Sequence, residues 1–534
     1  MNNRNILNII CFARQMEPRP GLDYLDLPDT TKRQIELVNR YGFKATFLLQ
    51  YDAFMDDRYY AMMTEQLGEG CEIGGWLEIV QPLTEKAGIP WRGRWPWDYH
   101  SDVGFSVGYT PDERRRIIDV FMADFKARFG VYPRSVGSWM IDAVTLAYMA
   151  DAYGVEVSCN CRDQWGTDGY TLWGGYYGQA YYPAKNNAFC PAQTAENQLP
   201  IPVFRMLGSD PIYQYDDGLE TADGFVPSHC QGVMTLEPIW WGEKWGDTKS
   251  GGSNPAWVDW YFKEIFSPTV AFNYTQTGQE NSFGWERMKQ GLAYQFQEID
   301  KLAKAGKVVV ETLAESGAWF KRQYAMTPAT SMGAMTDWRQ EGRRSLWFDN
   351  RFYRINFCQH AGRTWIRDIH QFNENYRERY LETVCPDAKM TYDNLPVIDG
   401  NRWSAGKIRA GIFPAMIDGA GTVTPLSGEM AVDYPDETSA RITVTGEWGQ
   451  IRFLCTETAV SAELTGTAKD CRLVLEMQDG MRELQKVVLQ NDRLGYTHNG
   501  FAYTVGIVHA AAVTRQENGI RIEAEGSTLT LTMR

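Results

Sequence analysis

The stretch "IICFARQMEPRP", residues 9 to 20, ends an apolar run in two arginines and a glutamate around a proline. The run before it, which begins near residue 5, is long enough for a buried strand. Side chains at the carboxyl end of a buried parallel strand line the functional edge of its sheet. We therefore predict that Arg14, Glu17 and Arg19 lie together, either as a substrate clamp or as a structural salt bridge.

The first 325 residues or so alternate short apolar runs with helical patterns. "KATFLLQ" (44–50) precedes "DDRYYAMMTEQLGEG" (56–70), and "SVGSWMID" (135–142) precedes "AVTLAYMADAYG" (143–154). About seven such strands are recognisable, and this rhythm is typical of a parallel sheet closed into a barrel. The sequence therefore predicts an α/β fold, a (β/α)7–8 barrel over residues 1–335, with insertions at 85–110 and 163–230.

From about residue 340 the pattern changes to alternating polar and apolar residues without long helices, as in "ARITVTGEWGQIRFLC" (440–455). Such alternation is typical of antiparallel strands with one buried face. We predict a C-terminal antiparallel β-sandwich over residues 336–534.

Charge and composition exclude several classes of partner. The chain has 53 basic and 67 acidic residues in 534, a net charge of −14, which argues against binding to nucleic acid or to an anionic membrane. No segment approaches the roughly 20 apolar residues of a spanning helix. The N-terminus shows no signal-peptide cleavage site, and most of the ten cysteines lie in apolar runs. We expect a cytoplasmic protein with free thiols. The sequence is also compatible with a homodimer.

Acidic side chains follow several of the predicted strands. Because the carboxyl ends of parallel strands meet at one edge, these groups should surround a common mouth. The predicted catalytic residues are Glu17, Glu78, Asp142 and His100. Asp142 precedes a helical pattern and could instead be its N-cap, while His100 has an imidazole that could donate a proton near neutrality.

The two insertions are dense in Trp, Tyr and Gly, as in "WRGRWPWDYHSDVGF" (91–105) and "WGTDGYTLWGGYYGQAYY" (165–182). Aromatic rings stack on the apolar faces of sugars, and neighbouring polar groups bind the hydroxyls. The sequence thus predicts a carbohydrate substrate. The predicted substrate-binding residues are Arg14, Arg19, Trp76, Trp97, Asp163, Trp165, Asp168, Tyr177, Arg205 and Glu237.

Three stretches between residue 5 and about residue 170 carry a recognisable pattern: "IICFAR" (9–14), "GEGCEIGGWLEIVQP" (68–82) and "VYPRSVGSW" (131–139). They resemble, in that order, the T-F-D-D strand, the G-H-E-I-G-N-H-T-x-x-H-P motif and the P-x-x-F-R-P-P-x-G strand of polysaccharide deacetylases of the NodB-homology type. The resemblance implies a deacetylase-like barrel.

The same resemblance implies a metal site that this sequence does not provide. The family's aspartates fall on Ala13 and Arg14, and its histidines fall on Trp76 and the region of Val80 and Gln81. Zinc needs nitrogen, oxygen or sulfur donors, and an arginine would repel the cation. We predict no metal and no cofactor.

A carbohydrate barrel with several carboxylates and no metal site indicates glycoside hydrolysis, which uses one acid and a second carboxylate. We expect a metal-independent glycoside hydrolase, exo-acting on short oligosaccharides. One alternative is an enzyme similar to inverting sialidases, in which Arg14, Arg19 and Arg205 bind a sugar carboxylate and His100 is the acid. A non-catalytic glycan-binding barrel and a carbohydrate deacetylase are further alternatives.

Overall fold

The first strand is the central element of the N-terminal half. In the computed structural model, which describes residues 4–19, 21–167, 169–213, 235–240, 251–467 and 470–534, β1 spans Arg4–Ala13, and its last eight residues are all buried. A strand with no polar face needs cover on both sides, as in a parallel α/β sheet. The predicted strand at the start of the chain is therefore confirmed.

The helices of these described residues are α1 (Leu27–Tyr41), α2 (Tyr51–Met55), α3 (Asp57–Ala61), α4 (Gln81–Lys86), α5 (Ser101–Gly104), α6 (Pro111–Phe129), α7 (Ala143–Tyr153), α8 (Pro255–Ile265), α9 (Trp285–Lys304) and α10 (Leu313–Gln323). Shorter helical turns of other types span Met62–Gln66, Ser106–Gly108, Asn281–Phe283 and Glu483–Lys486.

The strands that follow β1 in the first half are β2 (Thr46–Leu49), β3 (Glu72–Trp76), β4 (Val136–Gly137), β5 (Ser158–Asn160), β6 (Gln164–Thr167), β7 (Tyr170–Trp173), β8 (Ala180–Tyr181), β9 (Pro183–Ala184), β10 (Asn187–Pro191), β11 (Val203–Arg205), β12 (Phe272–Thr277), β13 (Val309–Glu311) and β14 (Thr330–Ala334).

The strands of the second half are β15 (Arg344–Asp349), β16 (Tyr353–His360), β17 (Arg363–Gln371), β18 (Met390–Asp393), β19 (Leu395–Asp399), β20 (Gly411–Ile417), β21 (Val423–Pro425), β22 (Glu429–Asp436), β23 (Ser439–Gly446), β24 (Gly449–Cys455), β25 (Ala459–Thr465), β26 (Arg472–Gln478), β27 (Val488–Gln490), β28 (Arg493–His498), β29 (Phe501–Val508), β30 (Ala510–Gln516), β31 (Gly519–Ala524) and β32 (Thr528–Thr532).

Six of these strands form a parallel sheet in the order β12-β1-β2-β3-β4, with β13 also paired to β1. A bridge between Ser135 and Val157 leads on to β5, which pairs in parallel with β11. Parallel pairing brings the carboxyl ends of these strands to the same side. That edge holds Arg14, Gln50 and Glu78, each just beyond a strand.

The strand β12 has no apolar run to mark it. Its sequence is "FNYTQT", and all six residues are buried, Asn273, Thr275, Gln276 and Thr277 among them. Gly278 follows with φ of +94°, and a Cβ there would collide with the carbonyl oxygen of Ile10. Only glycine fits such a close approach of two backbones. The polar strand and this glycine place residues 279–282 beside the end of β1.

The C-terminal part is rich in antiparallel strands, as predicted. One sheet has ten strands in the order β14-β15-β16-β17-β20-β26-β31-β30, with β19 and β21 paired beside this path. A second has eight strands in the order β22-β23-β24-β25-β32-β29-β28-β27. Apolar residues of both sheets, such as Phe357 and Phe453, belong to one hydrophobic cluster.

The two halves of the chain are joined by strand pairing. The strand β18 pairs in parallel with β7 of the second insertion, from Met390 opposite Tyr170 to Asp393 opposite Trp173. Buried residues beyond position 336 also belong to the N-terminal hydrophobic core, namely Trp347, Phe372, Leu381, Cys385, Met390 and Tyr392. The N-terminal core is thus completed by the second half of the chain.

Within the described ranges, every helix is too short or too polar to cross a membrane. The nine cysteines described there are free thiols, and seven of them are buried.

Candidate active site

The arginine that follows β1 is bound by two carboxyl groups. Arg14 Nε donates to Glu78 Oε2 at 2.8 Å, and Arg14 Nη2 donates to Glu78 Oε1 at 2.6 Å. Arg14 Nη1 lies 2.8 Å from Glu280 Oε1 and donates to Ser282 Oγ at 3.0 Å. Arg14 and Glu78 side chains are each only 2% exposed. A planar guanidinium with a bidentate carboxylate is rigid, so this pair fixes the geometry of the site.

Glu280 is a buried carboxyl group with one oxygen that has no partner. Its Oε1 accepts from Ser282 Oγ at 2.5 Å and faces Arg14, whereas its Oε2 is buried without a hydrogen-bond partner among the described residues. Burial raises the pKa of Glu280 to about 7, although the charge of Arg14 acts in the opposite direction. A proton on Oε2 is consistent with this pattern, because Oε1 is the oxygen that accepts.

A third carboxyl group lies on the other side of Glu78. Asp52, in the first turn of α2, has a buried Oδ1 without a partner in the described chain, and burial, with a smaller contribution from Glu78, raises its pKa to about 7. Gln50 Nε2 donates to Glu78 Oε2 at 2.8 Å, and Trp139 Nε1 donates to Glu78 Oε1 at 3.0 Å. Burial, with a smaller contribution from the neighbouring carboxyl groups, thus raises the pKa values of Asp52 and Glu280 towards neutrality.

Aromatic rings from four segments enclose this group. Trp97, in the first insertion, places its ring 4.1 Å from Arg14 Cζ. Phe12 stacks on Trp76 with centroids 4.2 Å apart, and Trp139 meets both rings edge-on. The indole N–H groups of Trp76 and Trp97 are buried without a described partner, as is Gln50 Oε1. Unpartnered buried polar atoms beside apolar rings suit a ligand that carries hydroxyl groups.

Glu17 and Arg19 form a second pair on the loop after β1. Arg19 donates to Glu17 from its backbone N and from Nη1, both at 3.0 Å, and the Glu17 side chain is 1% exposed. Arg19 Cζ lies 4.8 Å from the ring centre of Tyr99 and 5.8 Å from that of Trp97. Arg14, Glu17 and Arg19 thus lie close together. They belong to two adjacent ion pairs, Arg14 with Glu78 and Arg19 with Glu17, and both arginines contact aromatic rings of the first insertion.

His100 belongs to the same insertion. Its Nδ1 lies 2.5 Å from Asp98 Oδ1, and Arg94 Nη1 contacts both residues. Burial opposes ionisation of Asp98, but hydrogen bonds from Arg94 and His100 hold its pKa below the ordinary value. The imidazole stacks on Tyr99 with centroids 4.4 Å apart. His100 therefore lies one aromatic ring away from Arg19.

Asp142 lies in a different hydrogen-bond network. It is the N-cap of α7 and accepts from Thr145 N at 3.0 Å and from Ser106 Oγ at 2.5 Å. Arg114 Nη1 pairs with it at 3.0 Å, and Asp142 is fully buried. The bond from Thr145 N makes Asp142 a helix cap, which is the structural alternative that the sequence left open, and Ser106 and Arg114 hold the carboxylate in place.

Asp163 and Arg205 bind each other rather than the Arg14 group. Arg205 Nη2 lies 2.6 Å from Asp163 Oδ1, and Arg354 Nη1 lies 2.6 Å from Asp163 Oδ2. All three residues are buried. The sequence-based idea that Arg205 shares a sugar carboxylate with Arg14 gains no support from this geometry.

The remaining predicted binding residues are dispersed. Tyr177 is buried and stacks on Trp347 with centroids 4.0 Å apart. Trp165 is partly buried under Arg402, whose Cζ lies 3.2 Å from the ring centre. Glu237 accepts from Gln279 Nε2 at 2.7 Å, which connects it to the segment before Glu280. Asp168 lies outside the described residues.

The metal site implied by the deacetylase resemblance does not fit these residues. Its position is taken by the Arg14 guanidinium, which pairs with Glu78 and Glu280, and the neighbouring positions carry Ala13 and Trp76. Elsewhere in the described chain, Asp368, His370 and Asp399 could approach one ion. However, Arg354 Nε already donates to Asp368 Oδ1 at 2.9 Å, and a cation beside it would be repelled.

Comparison with known proteins gives a likeness of fold. No family model and no curated protein matches the chain. A candidate glycoside hydrolase/deacetylase of Parabacteroides distasonis is similar in structure, with a TM-score of 0.53 and 15% identity, over 74% of this chain and 90% of that one. This likeness agrees with the parallel sheet of a deacetylase-like fold.

Two further solved structures are more distant. One is described as a candidate polysaccharide deacetylase of Mycobacterium smegmatis, with a TM-score of 0.35 and 11% identity over 60% of this chain and 92% of that one. The other is the Xyl-CE4 domain of a multidomain xylanase from the hindgut metagenome of Trinervitermes trinervoides, with a TM-score of 0.26 and 10% identity over 60% of this chain and 92% of that one. At these scores neither carries an argument about this chain.

Glu280 and Asp52 are acids of the site that sequence patterns do not reveal. Glu280 follows β12, whose polar residues give no strand signal. The available clue is "TQTGQENSF" (275–283), a β-branched and polar run followed by glycine, acid and amides. Because a buried polar strand resembles a loop in its hydrophobicity, nothing in the sequence marks its carboxyl end as part of the site.

Proposed function

We propose that this protein is a metal-independent glycoside hydrolase, exo-acting on short oligosaccharides, and that Glu280 is its proton donor. The observation that carries the proposal is a buried carboxyl group with a pKa of about 7 and one unpartnered oxygen. A general acid works best when its pKa lies near the working pH. Perturbed acids of this kind concentrate at functional sites.

The chemistry follows from the positions of the groups. The glycosidic oxygen accepts the proton from Glu280 Oε2 as the bond to the anomeric carbon breaks. Arg14 and Ser282 hold the other oxygen of Glu280, which fixes the direction of the proton. Loss of that proton gives a carboxylate next to Arg14, so the guanidinium stabilises the product of the transfer.

The second carboxylate of the proposed mechanism is Glu17, which either bonds to the anomeric carbon as nucleophile, to be displaced later by water, or removes a proton from the water that bonds to that carbon. It lies on the loop after β1, its described partner is Arg19, and its charge acts on Arg14. Glu78 accepts four hydrogen bonds, from Arg14, Gln50 and Trp139, and its role here is to position Arg14. Trp97 and Tyr99 would bind the sugar ring, as aromatic rings do at carbohydrate sites.

The overall architecture supports the same class. We propose that the parallel strands close into a deacetylase-like barrel, since β5 and β11 continue the sheet beyond β4 and Leu207 N, just past β11, donates to Gln276 Oε1 of β12 at 2.8 Å. We also propose that the two antiparallel sheets, which share a core, form a sandwich. The name of the Parabacteroides relative includes glycoside hydrolases, in agreement with this class.

Glu280→Gln tests the proposal. With a panel of aryl glycosides, we expect the wild type to turn over at least one substrate in the presence of EDTA, with kcat/KM falling above pH 7 as Glu280 ionises. Glu280→Gln should lower kcat by about 10²–10⁴ because the donor is lost. Turnover of the variant within a few-fold of wild type would contradict the assignment.

Glu378→Gln is the matched control. Glu378 is also a buried carboxyl group, whose pKa burial raises to about 8, but it accepts from the backbone N atoms of Ala143 and Ala188. We expect this variant to lose about 1 kcal/mol of stability and to keep its kcat. Tight oligosaccharide binding without any turnover would favour the glycan-binding alternative, and activity that requires added zinc would favour a deacetylase.

A further inference from the structure

A second pocket lies where the second insertion meets the C-terminal sheets. It encloses about 500 Å³ and is lined by aromatic side chains from both halves of the chain, namely Trp165, Trp173, Trp403, Tyr496 and Tyr503. A volume of this size lies within the range of about 300–1,000 Å³ that is typical of small-molecule sites. The residues that line it do not include Arg14, Glu78 or Glu280.

The pocket offers ring surface and hydrogen-bonding groups together. Trp165 and Trp403 are only partly buried, and Arg402 covers part of the Trp165 ring. Tyr496 is 6% exposed and Asn394 is 1% exposed, and both line the pocket. Their hydroxyl group and Oδ1 atom, respectively, are buried without a hydrogen-bond partner in the described residues. Such atoms are costly in a folded protein unless a ligand or water satisfies them.

Several charged groups around the pocket are paired with each other. Lys486 Nζ lies 2.7 Å from Glu483 Oε1, and Asp393 Oδ2 lies 2.8 Å from Arg379 Nη2 and 3.0 Å from His498 Nε2. Asp399 Oδ2 lies 3.6 Å from His370 Nε2, and the Arg402 guanidinium lies over the Trp165 ring. Because acidic and basic groups occur together in the lining, the pocket has no strong preference for a charged ligand.

We propose that this pocket is a non-catalytic binding site for a short neutral oligosaccharide. The sugar would place an apolar face on the Trp403 ring and pack against Trp165 beside Arg402, and its hydroxyls would bind the Tyr496 hydroxyl group and Asn394 Oδ1. Trp165, which the sequence assigned to substrate binding, then serves this pocket. Glu280 is not among the residues that line this pocket, so the pocket can retain a glycan whether or not that residue is the catalytic acid.

Two tyrosines that face each other across β28 and β29 provide the test. Tyr496 stacks on Tyr503 with centroids 5.2 Å apart, but the Tyr503 hydroxyl donates to Pro396 O at 2.5 Å. Binding of maltotetraose, xylotetraose and cellotetraose to the full chain would be measured by titration calorimetry in the Glu280→Gln background, with tetragalacturonate as the charged comparison.

We expect at least one neutral tetrasaccharide to bind, and Tyr496→Phe to weaken that binding about 3- to 10-fold without lowering Tm, because its hydroxyl has no partner to lose. Tyr503→Phe should lower Tm and leave the affinity nearly unchanged. Equal affinity in Tyr496→Phe and its parent, tighter binding of tetragalacturonate, or no binding of any neutral sugar would overturn the proposal. Binding without hydrolysis in the wild type would reject the proposed function alone.

Discussion

At the level of single residues, Arg14 determines the chemistry of the site. Its guanidinium supplies a positive charge among Glu78, Glu280 and Asp52. A guanidinium cannot exchange or dissociate as a metal can, and it keeps its proton at any working pH. The ion pairs of Arg14 are therefore formed by folding alone.

Arg14→Met should destabilise the protein strongly. It leaves Glu78 buried without its counterion, and removal of one partner of a buried pair costs about 3–5 kcal/mol. Urea unfolding would measure the loss. The double variant Arg14→Met/Glu78→Gln should recover part of it, since the unpaired charge is gone. A loss under about 1 kcal/mol for the single variant would contradict the structural role of the pair.

The sequence predicted the residues of this site unevenly, for a physical reason. Arg14, Glu17 and Glu78 follow apolar strands. The rule that functional groups lie at the carboxyl ends of parallel strands therefore located them. Glu280 follows a strand made of Asn, Thr and Gln, and Asp52 lies one turn into a helix. Buried polar residues are recognised only when their partners are known, and for the segment that holds Glu280 the partner Arg14 lies more than 200 positions away, as its bond to Asn281 shows.

At the level of secondary-structure elements, Asp142 illustrates how a strand-end acid can serve the helix that follows. It caps α7 and pairs with Arg114 of α6, so it connects two helices that pack together. The helix boundary at residue 143 was visible in the sequence. The arginine partner was not, because it comes from an element 28 positions earlier.

Asp142→Ala should therefore reduce stability and leave catalysis intact. Loss of the N-cap costs about 1 kcal/mol, and Arg114 would lose a buried counterion. We expect a loss of several kcal/mol in chemical unfolding and a kcat within about threefold of wild type for the folded fraction. A hundredfold drop in kcat at unchanged stability would instead support the catalytic role that the sequence suggested.

At the level of the whole molecule, the N-terminal core depends on the second half of the chain. Fold class was predictable, because the change from helical to alternating patterns near residue 340 is visible in the sequence. The pairing of β18 with β7 was not, since a short parallel strand carries no signal of its distant partner.

A chain cut after residue 335 should accordingly fail to reach the native state. It would lack Phe372, Cys385, Met390 and Tyr392, which are buried in the N-terminal core. We expect residues 1–335 alone to aggregate or to unfold at markedly lower urea concentration than the full chain, whereas addition of residues 336–394 should restore part of the stability. Full native stability of the 1–335 fragment would show two independent domains.

The pairing of β7 with β18 also has a consequence during synthesis. Met390, the partner of Tyr170, is synthesised 220 positions later. At about 5–20 residues per second, this interval is roughly 10–45 s of translation. Throughout this interval the edge of β7 that β18 will cover is open and able to pair with another nascent chain. Chaperone dependence and crowding on polysomes should therefore affect the yield of this protein more than its thermodynamic stability would suggest.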